Sequence, residues 1–350
     1  MSAEKLFVGP GVRLKARAWT RGLAASRHVA LVSESGAWRR FGPGVERALI
    51  SAGLKVHRHL LPPGEAAKTW DAVEELMTSM LAAGLGRDGA VVALGGGSVT
   101  DAAGFAASIY LRGIPWVSVP TTLLGQLDSG LGGKTGINLA GGKNLAGSFH
   151  RPVAVVCDGE VLKTLPPRER VSGFAEALKY GLVFDPALWR LMTANWDKLM
   201  AGDPGLTSRV VARGASWKRR IVAKDEFETK GPRELLNFGH TLGHALESAA
   251  GLGVLRHGEA VVWGMRCALR LSVSRAGLSP TFALNADRFL NSLPVPLPRR
   301  VDPKRLLGLA KSDKKARKGR ARFVLLRAPG RPAVIEVPDE YILAAVRELL

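Results

Sequence analysis

The string NFGHTLGHALES carries Asn237, His240, His244 and Glu247 at spacings of three or four, which would set them along one face of a helix. His257 follows in RHGEAV, and Glu176 precedes in GFAEALKYG with Lys179 and Tyr180 one turn later. Two imidazoles and a carboxylate with an open position suit a catalytic zinc. For any one of these histidines a hydrogen-bonded packing role is the better reading; as a set in glycine-rich surroundings, the ligand reading overtakes it. Spacing alone would pair His240 with His244. Glu259, next to His257, could orient that imidazole or serve the helix start, and Glu247 reads as an orienting or packing residue.

A second chemical segment is the 24-residue stretch TTLLGQLDSGLGGKTGINLAGGKN from Thr121 to Asn144, rich in glycine and without a hydrophobic period. It reads as a ligand loop and not as a core element. Lys134, Lys143 and Asn144 would meet an anionic, phosphorylated ligand there. A third is Gly95, Gly96, Gly97 and Ser98, which leave an apolar run at Ala90–Leu94 and lead to a helix starting near Asp101. Amide donors and the helix dipole could meet a pyrophosphate at such a turn, although it lacks the G-x-G-x-x-G spacing and a turn without ligand is equally consistent.

These segments need elements to hold them. Apolar runs at 28–34, 54–61, 90–94, 115–120 and 152–158 alternate with helical patterns about 43–53 and 68–85, the rhythm of a parallel sheet flanked by helices. From Glu169 to Leu290 helical patterns dominate, broken at Asp203–Gly205 and by the prolines of SLPVPLP. The reading is an α/β fold with a Rossmann-like NAD-binding domain over residues 1–166 and a mainly helical metal- and substrate-binding domain over 167–350.

With 46% hydrophobic and 23% charged residues among 350, the chain is globular and long enough for two domains. It has no long apolar run and no signal-peptide pattern, so a membrane span and secretion lack support and a cytoplasmic location is expected. Cys157 and Cys267 match no metal or disulfide spacing and read as buried apolar residues. The formal charge of +20 raises nucleic-acid binding, but the cations are scattered and lack interleaved aromatics, which favours a solvated surface plus an anion pocket.

PPGEAAK, GGGSVTDAAGFAASIYLRG, PTTLLGQLDSGLGGKTGINLAGGKNLAGSFH, SGFAEALKYG, LLNFGHTLGHALE, HGEAV and SDKKARKGRARFVLL together make nearly the whole chain resemble the 3-dehydroquinate synthases, within the sugar-phosphate cyclases. The resemblance implies conversion of 3-deoxy-arabino-heptulosonate 7-phosphate to 3-dehydroquinate and phosphate, a carbon-oxygen lyase reaction of the shikimate pathway. Transient oxidation by NAD, phosphate elimination, re-reduction, ring opening and aldol closure would follow one another. It implies a homodimer, with NAD and a zinc that Co2+ can replace. Glu176, His240 and His257 match the metal ligands, whereas His244 matches a substrate-facing residue. Lys134, Asn144, Lys179 and one of Lys314 or Lys315 match phosphate contacts, and Arg112 an arginine reaching the neighbouring subunit's site. Lys218, Arg233 and Asn237 match contacts to the substrate carboxylate and hydroxyls, and Asp128 and Lys143 lie between cofactor and substrate. NAD contacts fall on Glu65, Lys68, Gly95, Gly96, Gly97, Ser98, Asp101, Thr121, Thr122, Lys134, Lys143, Thr164, Leu165 and Glu169.

The chain also departs from that pattern. Ser98 and Thr100 replace an apolar residue and a glycine, giving a GGGSVTD that also resembles iron-dependent alcohol and glycerol dehydrogenases. Glu34 stands where an aspartate is usual, and the loop between Glu228 and Arg233 is one residue longer. A metal-dependent polyol dehydrogenase is one rival, disfavoured by Glu176, Lys134, Lys143 and Asn144. A cyclase for another sugar phosphate is the second, disfavoured by a carboxylate grip at Lys218 and Arg233.

Overall fold

The computed structural model describes residues 4–228, 231–251, 254–296, 301–312 and 321–349. They form two compact units, Met1–Leu165 with Gly202–Arg219, and Pro166–Ala201 with Arg220–Leu350.

In the first unit eight strands form: β1 (Lys5–Val8), β2 (His28–Glu34), β3 (Lys55–Leu61), β4 (Ala90–Gly95), β5 (Trp116–Pro120), β6 (Lys134–Leu139), β7 (Gly142–Phe149) and β8 (Ala154–Cys157). Six of them make one sheet in the order β1-β8-β5-β4-β2-β3, with every neighbouring pair parallel. Side-chain alternation builds two cores on this sheet. Val91 and Ala93 of β4 join Val99, Ala102 and Ala103, while Ala90, Val92 and Leu94 join Val45 and Leu49 on the other face. β3 lies on one side of β2 and β4 on the other, so the chain changes direction between β2 and β4. Ligands of open α/β sheets bind beyond the strand ends at such a point. Glu34 and Gly95 end those two strands.

Glu34 does not reach outward. Its carboxylate caps the helix Ser35–Ser51, accepting from Gly36 N–H at 2.7 Å and Ala37 N–H at 2.6 Å. That cap starts the helix eight residues before the expected residue 43 and carries it through Pro43. The helix after β4 likewise starts at Gly97, not near Asp101, because the chain turns within Gly96.

The Thr121–Asn144 segment departs from the expected loop. Leu123, Leu127, Leu131 and Ile137 are buried, a π-helical turn covers Gly125–Ser129, and β6 and β7 pair as an antiparallel hairpin. The glycines hid a strand: a Cβ at Gly147 would lie 2.1 Å from the Thr135 carbonyl oxygen, so the two strands approach too closely for side chains.

Among the described residues the second unit is helical apart from the antiparallel hairpin β9 (Arg322–Ala328) and β10 (Arg331–Glu336). Its central helix, His257–Ala276, is buried along nearly its whole length. Glycines set its distance from its neighbours. A Cβ on Gly258 would sit 1.9 Å from the Ser172 carbonyl oxygen of the helix Pro167–Val183, and one on Gly264 would sit 1.8 Å from that of Gly239. Backbone contact this close brings His257 beside Glu176 and beside the helix His240–Ala250. Asn237 does not share that helix face as the spacing implied. It ends a 3-10 turn, Pro232–Asn237, and Gly239 at φ 80° reverses the chain before His240.

Candidate active site

In the second unit Glu176 is fully buried on the helix Pro167–Val183. Its Oε1 lies 3.5 Å from His240 Nε2 and 3.6 Å from His257 Nε2, and has no hydrogen-bond partner. Its Oε2 takes the ammonium of Lys179, itself buried. A buried carboxylate oxygen left unbonded is costly. Two imidazole nitrogens aimed at the same point make the three a ready ligand set for a divalent cation. Burial works against ionisation of Glu176, but Lys179 and then the two imidazoles hold its carboxyl well below the usual range. His240 is held neutral by burial and then by Lys179, which is the form that binds metal.

His257 uses both ring nitrogens. Burial would lower its pKa, yet the nearby Glu176 carboxylate and the hydrogen bond to Glu247 push it up to about 10. Nδ1 stands 3.1 Å from Glu247 Oε2, the carboxylate–imidazole pairing that orients a ligand histidine. Glu259 is committed elsewhere. It accepts the Arg256 N–H at 2.9 Å at the helix start and both Arg168 donors at 2.7 Å. Glu247 therefore fills the orienting role that sequence left open between the two. His244, His257 and Glu247 also come together, with the His244 ring 5.3 Å from that of His240.

Arg233 is buried nearby in sequence, donating to the Glu226 carbonyl at 2.6 Å. Asn237 Nδ2 is a buried donor without a partner. Glu169 pairs with Arg256 at 2.6 Å. Lys314, Lys315 and part of the lengthened loop before Arg233 lie outside the described residues.

In the first unit a cavity of about 440 Å3 is lined by Asp101, Asp128, Ser129, Lys134, Asn144 and Lys218, among others. Lys218 donates to the carbonyl and carboxylate oxygens of Asp128. Lys68 donates to Asp101 at 2.7 Å and to Asn144 Oδ1. Burial raises the Asp101 pKa, and Lys68 opposes the shift. Gly95 to Gly97 form the turn into the helix Gly97–Ile109, whose first turn has no side-chain cap and so keeps amide donors for an anion. Side chains would block that turn, since a Cβ on Gly95 would meet Val99 at 2.6 Å and one on Gly97 would meet Ser129 Oγ at 2.8 Å.

Thr121 is buried beside this turn, its N–H on the Gly95 carbonyl at 2.8 Å; Thr122 Oγ1 accepts from Gly125 N–H at 3.1 Å. Ser98 and Glu65 lie 3.5 Å apart. Lys143 is exposed on the hairpin, Thr164 and Leu165 close a 3-10 turn at the end of the unit, and Arg112 is exposed at a turn of its own. Sequence reading missed Ser129, whose buried hydroxyl has no partner, and Asn138, which bonds to Glu65 and Asn144. The DSG and TGIN strings were the available signals. Cys157 and Cys267 are both buried, and burial pushes the Cys267 thiol up to about 12.

The parallel six-stranded sheet of one unit and the helices of the other give the chain the fold of the sugar-phosphate cyclases. The chain has a TM-score of 0.87 with a solved 2-epi-5-epi-valiolone synthase from Streptomyces hygroscopicus, determined with NAD+ and Zn2+ bound, at 30% identity over 100% of this chain and 97% of that one. For a 2-deoxy-scyllo-inosose synthase complexed with carbaglucose-6-phosphate, NAD+ and Co2+, the TM-score is 0.86 at 26% identity, covering 99% and 96% of the two chains. A glycerol dehydrogenase from Schizosaccharomyces pombe shares the fold at TM-score 0.71 and 16% identity, covering 100% of this chain and 89% of that one.

The sequence profiles of the 3-dehydroquinate synthase N-terminal and C-terminal regions match residues 58–172 and 173–316. A 3-dehydroquinate synthase of Symbiobacterium thermophilum is 42% identical over 95% of this chain and 93% of its own, and one of Xanthomonas campestris is 42% identical over 93% and 89%. The chain belongs to the 3-dehydroquinate synthase family.

Proposed function

We propose that the protein converts 3-deoxy-arabino-heptulosonate 7-phosphate to 3-dehydroquinate and phosphate, using NAD and a divalent metal, zinc or cobalt. The observation that carries this reading is the near-full-length 42% identity to 3-dehydroquinate synthases, against 30% and 26% for cyclases with other products. The unbonded Glu176 oxygen facing two imidazoles supports the metal. The uncapped glycine turn supports the dinucleotide.

Glu176, His240 and His257 would hold the metal, and the turn at Gly95–Gly97 with Thr121, Thr122, Asp101 and Lys68 would hold NAD. When bound, NAD accepts and returns a hydride while the metal acidifies the hydroxyl being oxidised. The residues of the chain bind and orient. Lys134, Lys143 and Asn144 meet the phosphate in the first unit. Lys218 meets a substrate oxyanion, and Asp128 keeps its ammonium aligned beforehand. In the second unit Lys179 balances the Glu176 charge, and with a metal bound there its ammonium would be available to an anionic oxygen. Arg233 offers a guanidinium for the carboxylate, and Asn237 Nδ2 an unspent donor for a hydroxyl. His244, beside the metal cluster, can relay a proton. Positioning supplies much of the rate.

No helix of the described residues is long and apolar enough to cross a membrane. A cytoplasmic homodimer, with Arg112 completing the neighbouring subunit's site, is part of this reading. The test adds 3-deoxy-arabino-heptulosonate 7-phosphate to protein with NAD and zinc, following phosphate, 3-dehydroquinate and NADH together. Equal phosphate and 3-dehydroquinate without net NADH is expected. Accumulating NADH would point to a dehydrogenase, and no reaction to a cyclase for another sugar phosphate.

A further inference from the structure

We propose that Asn138 is the positioning residue that presents Lys143 and Asn144 to substrate and ties them to the Glu65–Lys68 side of the cofactor site. The inference rests on the reading of those two residues as substrate contacts.

The β6–β7 ladder is regular from Lys134 opposite Phe149 to Ile137 opposite Ala146, then shifts, and resumes with Leu139 opposite Gly142. Asn138 is thus the one residue of β6 left facing three of β7: Lys143, Asn144 and Leu145. An irregularity of this kind re-aims side chains and is common beside functional sites. It also leaves backbone groups to be satisfied, and Asn138 satisfies them. Its Oδ1 accepts the Asn144 N–H at 3.0 Å, standing in for a ladder bond. Its own N–H donates to the Lys68 carbonyl at 2.9 Å. Its Nδ2 donates to Glu65 Oε2 at 2.7 Å. Only this amide orientation works, because the flipped one would set oxygen against carboxylate and NH2 against N–H.

Asn144 sits at φ 56°, a left-handed conformation that non-glycine residues hold only when the surroundings enforce it. Two bonds enforce it here: Asn138 Oδ1 on the backbone N–H, and the Lys68 ammonium on the side-chain Oδ1. Three chain segments therefore meet through one carboxamide: the 3-10 turn Gly64–Ala67 with Lys68, strand β6, and the start of β7 bearing Lys143 and Asn144. A shorter side chain would leave the pocket's charges in place and let the start of β7 wander. A carboxylate of the same size would still accept from Asn144 but would face Glu65 without a proton between them.

The experiment compares Asn138→Ala and Asn138→Asp by amide hydrogen exchange of the 138–145 segment, NAD affinity, and kcat and KM. In Asn138→Ala the Asn144 amide should exchange faster and kcat/KM should fall about 10- to 100-fold, since an ångström of misplacement can cost that much. Asn138→Asp should keep the slow exchange and most of kcat/KM while losing NAD affinity severalfold. Unchanged exchange in Asn138→Ala, or faster exchange with kcat and KM intact, would overturn the proposal, as would equal losses in both variants alongside equal drops in melting temperature. If the alanine variant does not fold, the aspartate variant decides, because fast exchange at Asn144 there removes the role. If the wild-type protein shows no cyclase turnover, the functional reading fails while the exchange comparison still judges Asn138.

Discussion

His257 links the metal site to proton binding. Without metal its pKa is raised to about 10 from the ordinary 6.5, so its pairing with Glu176 and Glu247 stabilises the fold fully below 6.5 and stops doing so as pH rises through about 10. A metal needs the neutral ring, whereas His240 is already neutral. Loading zinc at pH 8 should therefore release about one proton per site, and the release should vanish above pH 10. Calorimetry in buffers of different ionisation enthalpy measures this, and binding without proton release at pH 8 would contradict it. Replacing His257 with Ala should abolish metal retention and activity while leaving the fold intact; a full metal equivalent in that variant would remove it from the ligand set. The identities of these groups were legible in the sequence, and their partnership was legible through the family resemblance but not through spacing. Spacing joined His240 to His244 and Asn237, whereas the positive φ of Gly239 separates Asn237, and only packing brings Glu176 across from a helix more than sixty residues earlier.

Helix contact, set by glycines, decides whether those side chains meet. Gly258 has no room for a methyl against Ser172, so Gly258→Ala must push the helix His257–Ala276 away from Pro167–Val183 and carry His257 from Glu176. A loss of about 1–3 kcal/mol in stability is expected, as for overpacked cores, together with weaker zinc binding. Gly308→Ala is the contrast: nothing lies near its Cβ on the helix Pro303–Ser312, and the change should be neutral or stabilising by up to about 1 kcal/mol. Chelator competition and denaturant titration read both effects. Wild-type zinc affinity in Gly258→Ala would mean that the close approach is not what holds the cluster. At this scale the sheet was the legible part, because strands buried on both faces write continuous apolar runs such as VALVSE and AVVALG. The hairpin of β6 and β7 was illegible for a physical reason: strands packed backbone to backbone need glycine, and glycine reads as loop. Helix starts shifted because caps, such as Glu34, depend on backbone geometry that periodicity does not report.

Across the whole molecule, a net charge of +20 suits anionic ligands by long-range attraction, but it does not say how many subunits complete a site. Arg112 bears on that question. It is exposed, its guanidinium has no hydrogen bond or ion pair among the described residues, and it follows Leu111 at φ 50° with its own φ at 70°. Two successive left-handed residues cost about 1–3 kcal/mol each, a strain that an ordinary surface turn has no reason to keep. If Arg112 serves a neighbouring subunit, a variant lacking it and a variant lacking Lys134 should each be inactive alone. Mixed and allowed to exchange, half the dimers become hybrids in which one of two sites has both residues, so about a quarter of wild-type activity should return. Hybrids verified by mass spectrometry but inactive would confine Arg112 to its own subunit, and the strained turn would then need another cause.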